Sequence, residues 1–331
     1  MPQPFTFVRM VVRVFVFTRV LAGTANVWAE AKLRLAFASY REQPKHPRIL
    51  FYDHDGQATG QMLEGIPIKP KRSDSHPILS HNGRLCVLAT EQENETSRIQ
   101  LWDTTEKKFL ETPTLNDSPN AQLWPTMSGD ARTVIFAGWN RPGSSQRWDL
   151  FSFDVTTNQT RGLADVNTLV FDERMPAISG DGRVLAFVTN ATSGAGLSDI
   201  VLCELATGTI IPTPGLNSAS RDVEPALSHD GRFVAFVSDR AGTVGGRDIF
   251  LYDRQTSSLV PVPGLNSIAH EQSPSLSQSG RFLVFVSERI HGEGERDVFL
   301  YSRERQSLLP TPALNARSED FDPSIVELDL R

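Results

Sequence analysis

The chain has 331 residues, a hydrophobic content of 39% and a formal net charge of −6 from 33 basic and 39 acidic residues. This acidic balance argues against a nucleic-acid-binding protein, which usually presents a basic face. The 23 glycines and 21 prolines, together with the hydrophobic content, are typical of a turn-rich folded protein and not of a disordered chain.

Residues 1–32 are expected to be a leader outside the fold. Their apolar stretch contains three arginines, and the uncharged runs between them are too short to span a membrane. Val27 and Ala29 provide the small residues of a signal-peptide cleavage site, although the arginines interrupt the apolar core that such a signal needs. Two alternatives therefore stay open: an export signal on a periplasmic or secreted protein, or, on a cytoplasmic one, a leader without that role or a start codon assigned too far upstream.

A phrase that begins with proline returns along the rest of the chain. It reads PILSHNGRLCVLAT in its first copy and PALSHDGRFVAFVS in its fourth, and the sixth copy is truncated to PSIVELDL. The copies begin at Pro77, Pro125, Pro176, Pro225, Pro274 and Pro323. By subtraction, the intervals are 48, 51, 49, 49 and 49 residues, and so regular a period predicts a repeat architecture.

Each unit of the repeat is predicted to form four β-strands. The first starts at the proline, whose missing N–H suits the first residue of a strand. A tight turn such as Asp230-Gly231 follows, and the second strand is the apolar run FVAFVS at 233–238. Runs such as IFLYD at 249–253 and LVPVPGLN at 259–266 indicate the third and fourth strands. Four-stranded units of this length are typical of the blades of a β-propeller.

The two ends of the chain each hold part of one blade. Residues 33–72 match the second, third and fourth strands of a unit and lack the first, which the segment 323–328 supplies. Joining them leaves no free sheet edge between the first and last blades. The sequence therefore predicts an all-β fold in which residues 33–331 form a single six-bladed β-propeller of four-stranded blades.

The repeat resembles that of a known family. The pattern SxDGRxxAFVS followed by RDIFLYD, at 228–253, is similar to the repeat of the TolB-like six-bladed propellers of bacterial envelopes. The PGLN segments at 214–217 and 263–266 are similar to those of TolB-family proteins from cyanobacteria. TolB itself carries a second domain ahead of its propeller, which we do not expect in this chain. The resemblance implies a non-enzymatic module that binds a protein or peptide segment, often at the mouth of the propeller channel.

The connections between blades contain the most informative set of polar residues. Three residues before each repeat proline lies an acid or, once, an amide: Asp74, Gln122, Glu173, Asp222, Glu271 and Asp320. In a closed ring these positions approach the channel mouth, where neighbouring carboxylates raise each other's pKa unless a cation, such as Ca²⁺ or a basic group of a partner, lies between them. In the alternative interpretation, each side chain accepts backbone N–H bonds within its own loop.

Trp124 takes the place of a small or polar residue directly before a repeat proline. An aromatic side chain at the channel mouth is suited to anchor a peptide. Core or inter-blade packing is the alternative for this residue.

Three functions are compatible with these patterns. We expect a monomeric, non-enzymatic protein-interaction module without a cofactor, a nucleic-acid partner or a membrane span. The first alternative is a metal-dependent hydrolase, similar to lactonase propellers, with a cation in the tunnel. The second is a purely architectural propeller without a dedicated ligand. The sequence contains no HExxH, CxxC or GxSxG motif that would identify a metal ligand set or a catalytic nucleophile.

Overall fold

Strands make up the regular structure of this protein. The computed structural model describes residues 31–93, 95–117, 119–139, 147–191, 194–290 and 292–328, and within these ranges it contains β-strands and no helix. Residues 1–30 of the predicted leader lie outside the described residues. The propeller begins at Lys32, the first residue of its first strand, one residue earlier than predicted.

The strands form six antiparallel sheets of four strands each, which are the predicted blades. Blade 1 contains β1 (Lys32–Ser39), β2 (Arg48–His54) and β3 (Gly60–Leu63). Blade 2 contains β4 (Arg72–Leu79), β5 (Leu85–Gln92), β6 (Arg98–Asp103) and β7 (Lys108–Phe109). Blade 3 contains β8 (Gln122–Met127), β9 (Thr133–Trp139), β10 (Trp148–Asp154) and β11 (Gln159–Gly162).

The second half of the ring repeats this arrangement. Blade 4 contains β12 (Glu173–Ile178), β13 (Val184–Thr189), β14 (Asp199–Glu204) and β15 (Ile210–Ile211). Blade 5 contains β16 (Asp222–Leu227), β17 (Phe233–Ser238), β18 (Asp248–Asp253) and β19 (Ser258–Val260). Blade 6 contains β20 (Glu271–Leu276), β21 (Phe282–Ser287), β22 (Asp297–Ser302) and β23 (Ser307–Leu309), and β24 (Asp320–Leu328) follows it.

The last strand closes the ring as the sequence predicted. β24 pairs antiparallel with β1, so blade 1 has the strand order β24-β1-β2-β3. Leu33 lies opposite Glu327, and Ser39 lies opposite Asp320. The first and last strands of the fold therefore share one sheet, and the predicted six-bladed, all-β architecture is confirmed.

The apolar core is divided among the interfaces between blades. Six buried clusters occur, and each combines residues of two neighbouring blades. One of them joins Phe37 and Tyr52 of blade 1 to Val284 and Leu300 of blade 6. Both faces of each sheet are therefore covered, which explains why the second and third strands are almost continuously apolar.

Strand direction separates two faces of the ring. Because neighbouring strands are antiparallel, the loops that join second to third strands and the connections between blades lie at the same end, here called the top face. The hairpin turns between first and second strands lie at the opposite end, the bottom face. The first strand of each blade lines the central channel between the two faces.

Candidate functional site

The channel opens on the top face into a cavity of about 180 Å³, lined by the repeat prolines and the residue before each of them. In every blade that preceding residue has a positive φ, between 49° and 54°. We call these six residues the mouth ring: His76, Trp124, Met175, Glu224, Ser273 and Asp322.

The geometry of the mouth ring follows from the prolines. A proline nitrogen carries no hydrogen, so the first strand cannot continue its ladder with the second strand at this point. The pairing shifts there, for example between Val223 and Ala226 on β16 and between Arg174 and Ala177 on β12. A positive φ costs a non-glycine residue about 1 kcal/mol, and such positions concentrate at functional sites. Its recurrence in every blade directs six side chains toward one cavity.

One side of the mouth ring, with four of its six members, is polar and internally connected. The backbone N–H of Ser273 donates to the Glu224 carboxylate at 2.6 Å, and the Ser273 hydroxyl lies 3.4 Å from an Asp322 oxygen. The backbone N–H of His76 donates to the other Asp322 oxygen at 3.3 Å, and His76 Nδ1 lies 3.5 Å from it. Blades 5, 6, 1 and 2 therefore place two carboxylates, one serine and one imidazole next to one another at the mouth.

The electrostatic environment of the polar side of the mouth ring favours an added positive charge. Burial raises the pKa of Glu224 above its ordinary value, and the neighbouring Asp322 raises it further. The Ser273 N–H and more distant Arg247 and His76 act in the opposite direction. A cationic group placed between the two carboxylates would stabilise both in their ionised forms.

The other side of the mouth ring, with the remaining two members, is apolar. Trp124 packs edge-on against Trp148 with ring centroids 5.0 Å apart, and Trp148 packs against Trp139 at 5.5 Å. Met175 is the next member of the ring after Trp124. Trp124 therefore lines the mouth, as the sequence analysis predicted, and also contacts its own blade, so both interpretations of this residue describe part of its surroundings.

The six positions of the predicted acidic ring lie behind the mouth ring. Their side chains are buried, with exposed fractions of 0–1%, and none of them lines the mouth cavity. In blade 5, Asp222 accepts the backbone N–H of Ser218 at 2.6 Å and the Arg240 guanidinium at 2.6 Å. These are the contacts of the alternative in which each side chain anchors its own loop. The binding of Ca²⁺ at these positions stays a prediction. The six are Asp74, Gln122, Glu173, Asp222, Glu271 and Asp320.

Three of these carboxylates are paired with an arginine from the same local motif. The motif is Ser-x-Arg at the end of the second strand, in blades 1, 5 and 6. Arg289 donates to Glu271 at 3.2 Å and to the Leu265 carbonyl at 2.7 Å, and its guanidinium lies 4.6 Å from the centre of the Phe299 ring. Arg240 and Arg41 make the equivalent contacts with Asp222 and Asp320.

The remaining three positions have other partners. Asp74 pairs with Arg72 of its own strand at 2.8 Å, and Gln122 donates to the Leu115 carbonyl at 3.1 Å. Glu173 accepts the N–H and the hydroxyl of Thr168, at 3.2 and 2.8 Å, without an arginine in its blade's motif. Burial without a compensating cation raises the pKa of Glu173 to about 7.

Two imidazole rings lie at the bottom end of the channel. His81 and His229 have ring centroids 4.7 Å apart and lie over Gly129 and Gly180, which leave the space that they occupy. Hydrogen bonds link the chain here, from the His81 N–H to the Gly129 carbonyl at 3.0 Å and from the Gly129 N–H to the Gly180 carbonyl at 2.8 Å. Burial and the neighbouring His229 lower the pKa of His81 to about 4.

The exposed apolar side chains also concentrate on the top face. Of the ten large hydrophobic residues that are exposed in the described part of the chain, eight belong to top-face loops or strand ends, and Ile210 and Leu259 belong to outer strands. The eight are Ile68, Trp139, Leu169, Val170, Leu197, Val244, Ile268 and Ile290. Exposed apolar residues gathered on one face are a feature of protein-interaction surfaces.

Within the described ranges, no group of three or more His, Cys, Asp or Glu side chains is arranged to hold a metal ion. No helix in the same ranges has the length and apolar character needed to cross a membrane. Cys86 and Cys203 are both buried free thiols in different blades.

Comparison with known proteins defines the fold of this chain. TolB from Acinetobacter baumannii aligns with a TM-score of 0.63 and 15% identity over 88% of this chain and 66% of that one. A structure assigned as TolB from Agrobacterium tumefaciens aligns with a TM-score of 0.55 and 14% identity over 91% and 99%. The oligogalacturonate lyase solved with manganese aligns with a TM-score of 0.55 and 10% identity over 83% and 72%. At these identities the likeness is one of fold, and the predicted resemblance to TolB-like propellers is confirmed at that level.

Sequence comparison adds no closer relative. No protein-family model matches the chain, and no curated protein matches it. The chain spans 66% of the length of the Acinetobacter TolB chain. The similarity to cyanobacterial sequences stays a prediction.

Sequence reasoning did not identify the mouth ring as a site, apart from Trp124. The signal was present in the repeat: the residue before each proline changes from histidine to tryptophan, methionine, glutamate, serine and aspartate. The position two residues before it is more uniform, with a carboxylate in five blades and glutamine in the sixth, and those residues are buried behind the mouth ring.

Proposed function

We propose that this propeller is a non-enzymatic interaction module whose channel mouth and surrounding top-face loops bind a segment of another protein. The observation that carries this proposal is the mouth ring. It gathers six side chains around one cavity at the top-face end of the channel. A site with a polar side and an apolar side suits a peptide, which offers both kinds of group along one chain.

The chemistry of the mouth indicates which group enters it. Glu224 and Asp322 border the cavity, and the pKa of Glu224 is raised chiefly by burial and further by Asp322. A lysine, an arginine or an amino terminus of the partner would supply a cation beside the two carboxylates. Trp124 and Met175, on the apolar side of the mouth ring, would pack against the aliphatic part of the partner's basic side chain or against the residue next to it.

The surface around the mouth supports a protein partner over a small molecule. A cavity of about 180 Å³ is smaller than the usual site for a drug-sized ligand. The exposed apolar residues Leu169, Leu197 and Ile268 extend the contact area well beyond the cavity. A partner that inserts one side chain and covers the loops would use both features.

We further propose that the protein acts as a monomer in the periplasm or after secretion. The apolar, arginine-containing pattern of residues 1–32, with small residues at 27 and 29, supports export. Fractionation of the native host, followed by mass spectrometry of the amino terminus, tests this. A mature chain that still begins at Met1 in the cytoplasm contradicts it.

Selection from a phage-displayed library of random dodecapeptides tests the binding proposal. We expect the propeller to enrich peptides that contain a lysine or arginine beside an apolar residue. Asp322→Asn, which keeps the shape of the side chain and removes its charge, should weaken binding of these peptides about tenfold or more. Trp124→Leu should weaken binding by a similar factor through lost packing.

A matched control separates the mouth from general charge effects. Glu204→Gln removes one exposed acid on the bottom face, and we expect it to leave binding unchanged. Melting temperatures of all variants check that each is folded. A library without enrichment, or enriched peptides that bind the two mouth variants as tightly as the unmodified protein, contradicts the proposal.

A further inference from the structure

A second cavity, of about 440 Å³, lies on the top face between blades 4 and 5. It shares Met175 and Glu224 with the mouth ring, so the two cavities are adjacent. Three arginines line it: Arg174 of β12, Arg221 immediately before β16, and Arg247 immediately before β18. We call this cavity the arginine pocket.

None of the three guanidinium groups forms an ion pair with a described residue. None lies within 4.0 Å of a described carboxylate, although Arg247 acts on the Glu224 carboxylate from a longer distance, and the Nε of Arg174 is buried without a hydrogen-bond partner. By contrast, Arg240 of blade 5 pairs with Asp222 at 2.6 Å. Arginine side chains that line a cavity without forming close ion pairs are positioned to receive an anion.

Comparison between blades shows that this arrangement is specific to this interface. In blade 6 the residue equivalent to Arg247 is Arg296, which forms an ion pair with Glu319 of the following connection. In blade 5 the position of Glu319 is taken by His270, whose Nδ1 accepts the backbone N–H of Arg247 at 3.3 Å. The side chain that neutralises the arginine in one blade is therefore replaced by an imidazole in the other.

The position of Arg174 differs between blades in the same way. In the other five blades the residue two before the repeat proline is uncharged. These equivalents are Ser75, Leu123, Val223, Gln272 and Phe321. Blade 4 therefore adds a positive charge where the remainder of the ring has none.

The two acidic residues that line the arginine pocket already accept hydrogen bonds. Glu224 accepts the Ser273 N–H at 2.6 Å, and Asp239 accepts the Arg221 N–H at 2.8 Å. With three arginines and two carboxylates, the lining has a formal charge of +1 next to an acidic mouth. Positive and negative sites thus lie side by side, and a single extended chain with groups of both signs complements them.

We propose that the arginine pocket binds a carboxylate of an aspartate or glutamate, on the same protein segment whose basic group occupies the mouth. The identity of the ligand as a protein segment rests on the proposed function. The match between the guanidinium groups and a carboxylate does not depend on it. The fork of donors on a guanidinium matches the two oxygens of a carboxylate. Recognition would then depend on the order and spacing of an acidic and a basic residue in the partner.

The dodecapeptide selection tests this when it is repeated on the double variant Arg221→Ala/Arg247→Ala. Peptides selected on the unmodified protein should contain an acidic residue at a constant distance from the basic one. On the double variant the acidic residue should lose its enrichment while the basic residue keeps it. Affinity of the original peptides should fall about tenfold for each arginine removed.

The control double variant is Arg132→Ala/Arg183→Ala. These side chains are 73% and 85% exposed on the bottom face, so the substitutions change the net charge equally without touching the pocket. Equal enrichment of acidic residues on the unmodified protein and on the pocket variant overturns the proposal. If the proposal for the mouth is wrong and that for the arginine pocket is right, the selected peptides are still enriched in an acidic residue, and this enrichment depends on the arginines. The peptides then lack a basic residue at a constant distance from it.

A free anion is distinguished by titration with inorganic phosphate. A pocket for a peptide carboxylate predicts that phosphate at constant ionic strength leaves the affinity for the selected peptides unchanged. Saturable heat of phosphate binding that disappears in Arg221→Ala/Arg247→Ala, together with competition against the peptides, assigns the pocket to a free anion and overturns the proposal.

Discussion

The guanidinium of Arg41 lies 2.9 Å from the carboxylate of Asp320, although the two residues are 279 positions apart in the chain. Arg41 follows β1, and Asp320 begins β24, so this ion pair joins the two ends of the fold. The Asp320 side chain is fully buried, and Arg41 also donates to the Leu314 carbonyl at 2.6 Å. The pair therefore anchors the strand that closes the ring.

Replacement of Arg41 by methionine should destabilise the protein by about 3 kcal/mol, because it leaves the buried Asp320 carboxylate without its counter-ion. Methionine keeps the aliphatic length of the side chain and removes the guanidinium, whose carbon lies 5.4 Å from the centre of the Phe37 ring, so the loss reports on the whole charged group. The measurement is the free energy of unfolding in urea. Arg132→Met is the control: its pair with Asp130 spans 3.7 Å between exposed side chains and should contribute less than about 1 kcal/mol. Equal effects of the two substitutions would show that the closing ion pair has no special weight.

Glu173→Gln should stabilise the protein at alkaline pH. The pKa of Glu173 is raised from 4.5 to about 7, so the folded state holds a proton that the unfolded chain releases. The associated stability is present below the unfolded value and is lost as the pH rises through 7. Glutamine removes this loss, and Gln122 already occupies the equivalent position of blade 3. We expect a gain on the order of 2 kcal/mol at about pH 8 and a smaller change at about pH 5, from urea unfolding at both.

The matched control is Glu271→Gln in blade 6. Its carboxylate accepts a hydrogen bond from Arg289 at 3.2 Å, so neutralising it should destabilise the protein at both pH values. A Glu173→Gln variant whose stability follows that of the unmodified protein across this range would show that Glu173 titrates normally.

Ala191→Arg should restore in blade 4 the motif found in blades 1, 5 and 6. The Ala191 N–H donates to the Thr189 hydroxyl at 3.3 Å, as the Arg240 N–H donates to Ser238 at 3.2 Å, so the backbone is already in place. An arginine there should reach Glu173, lower its pKa and flatten the pH dependence of stability between about pH 5 and 8. Ala191→Gln, of similar length and no charge, should leave that dependence unchanged. An arginine variant with the original pH dependence would contradict the proposed equivalence of the blades.

Gly180→Ala should destabilise the bottom of the channel by about 1–3 kcal/mol. A Cβ at this position would lie 2.3 Å from His81 Cε1 and 2.4 Å from His229 Nδ1, so an imidazole must move. In the His81→Ala background, Gly180→Ala should cost less stability than it does in the unmodified protein. A double-mutant cycle measures this difference. Gly162→Ala, whose nearest neighbour would be Phe151 Cε1 at 3.5 Å, is the neutral control. Additive effects at Gly180 and His81 would show that the two sites do not share space.

The fold could be predicted in detail because the same pattern of strands and turns occurs in several copies along the chain. The proline, the tight turn and the apolar strands recur at nearly constant spacing, and the incomplete units at the two ends point to a closed ring. The pairing of Leu33 with Glu327 confirms this. Local propensity and strand pairing within a blade act over short separations in the sequence. Six copies of the same local pattern therefore leave little ambiguity about the fold.

The candidate site was only partly accessible to the same reasoning. Asp222 and Glu271 were expected near the mouth because their positions repeat, but the direction of a side chain depends on φ at the neighbouring bulge. The positive φ of Glu224 and Ser273 turns those residues into the mouth. Arg240 and Arg289 hold the predicted acids behind it. The partners of a carboxylate come from another strand, and the sequence spacing does not reveal them.

The sequence by itself determined the number of blades, the strands within each and the joining of the two ends, because each of these follows from a periodic local pattern. The tertiary structure decided which side chains face the channel, which acids are neutralised and which arginines are left without an anion. Those properties depend on where separate strands bring their side chains together and on how far each charge is removed from water. Distances and burial of this kind exist only once the ring has closed.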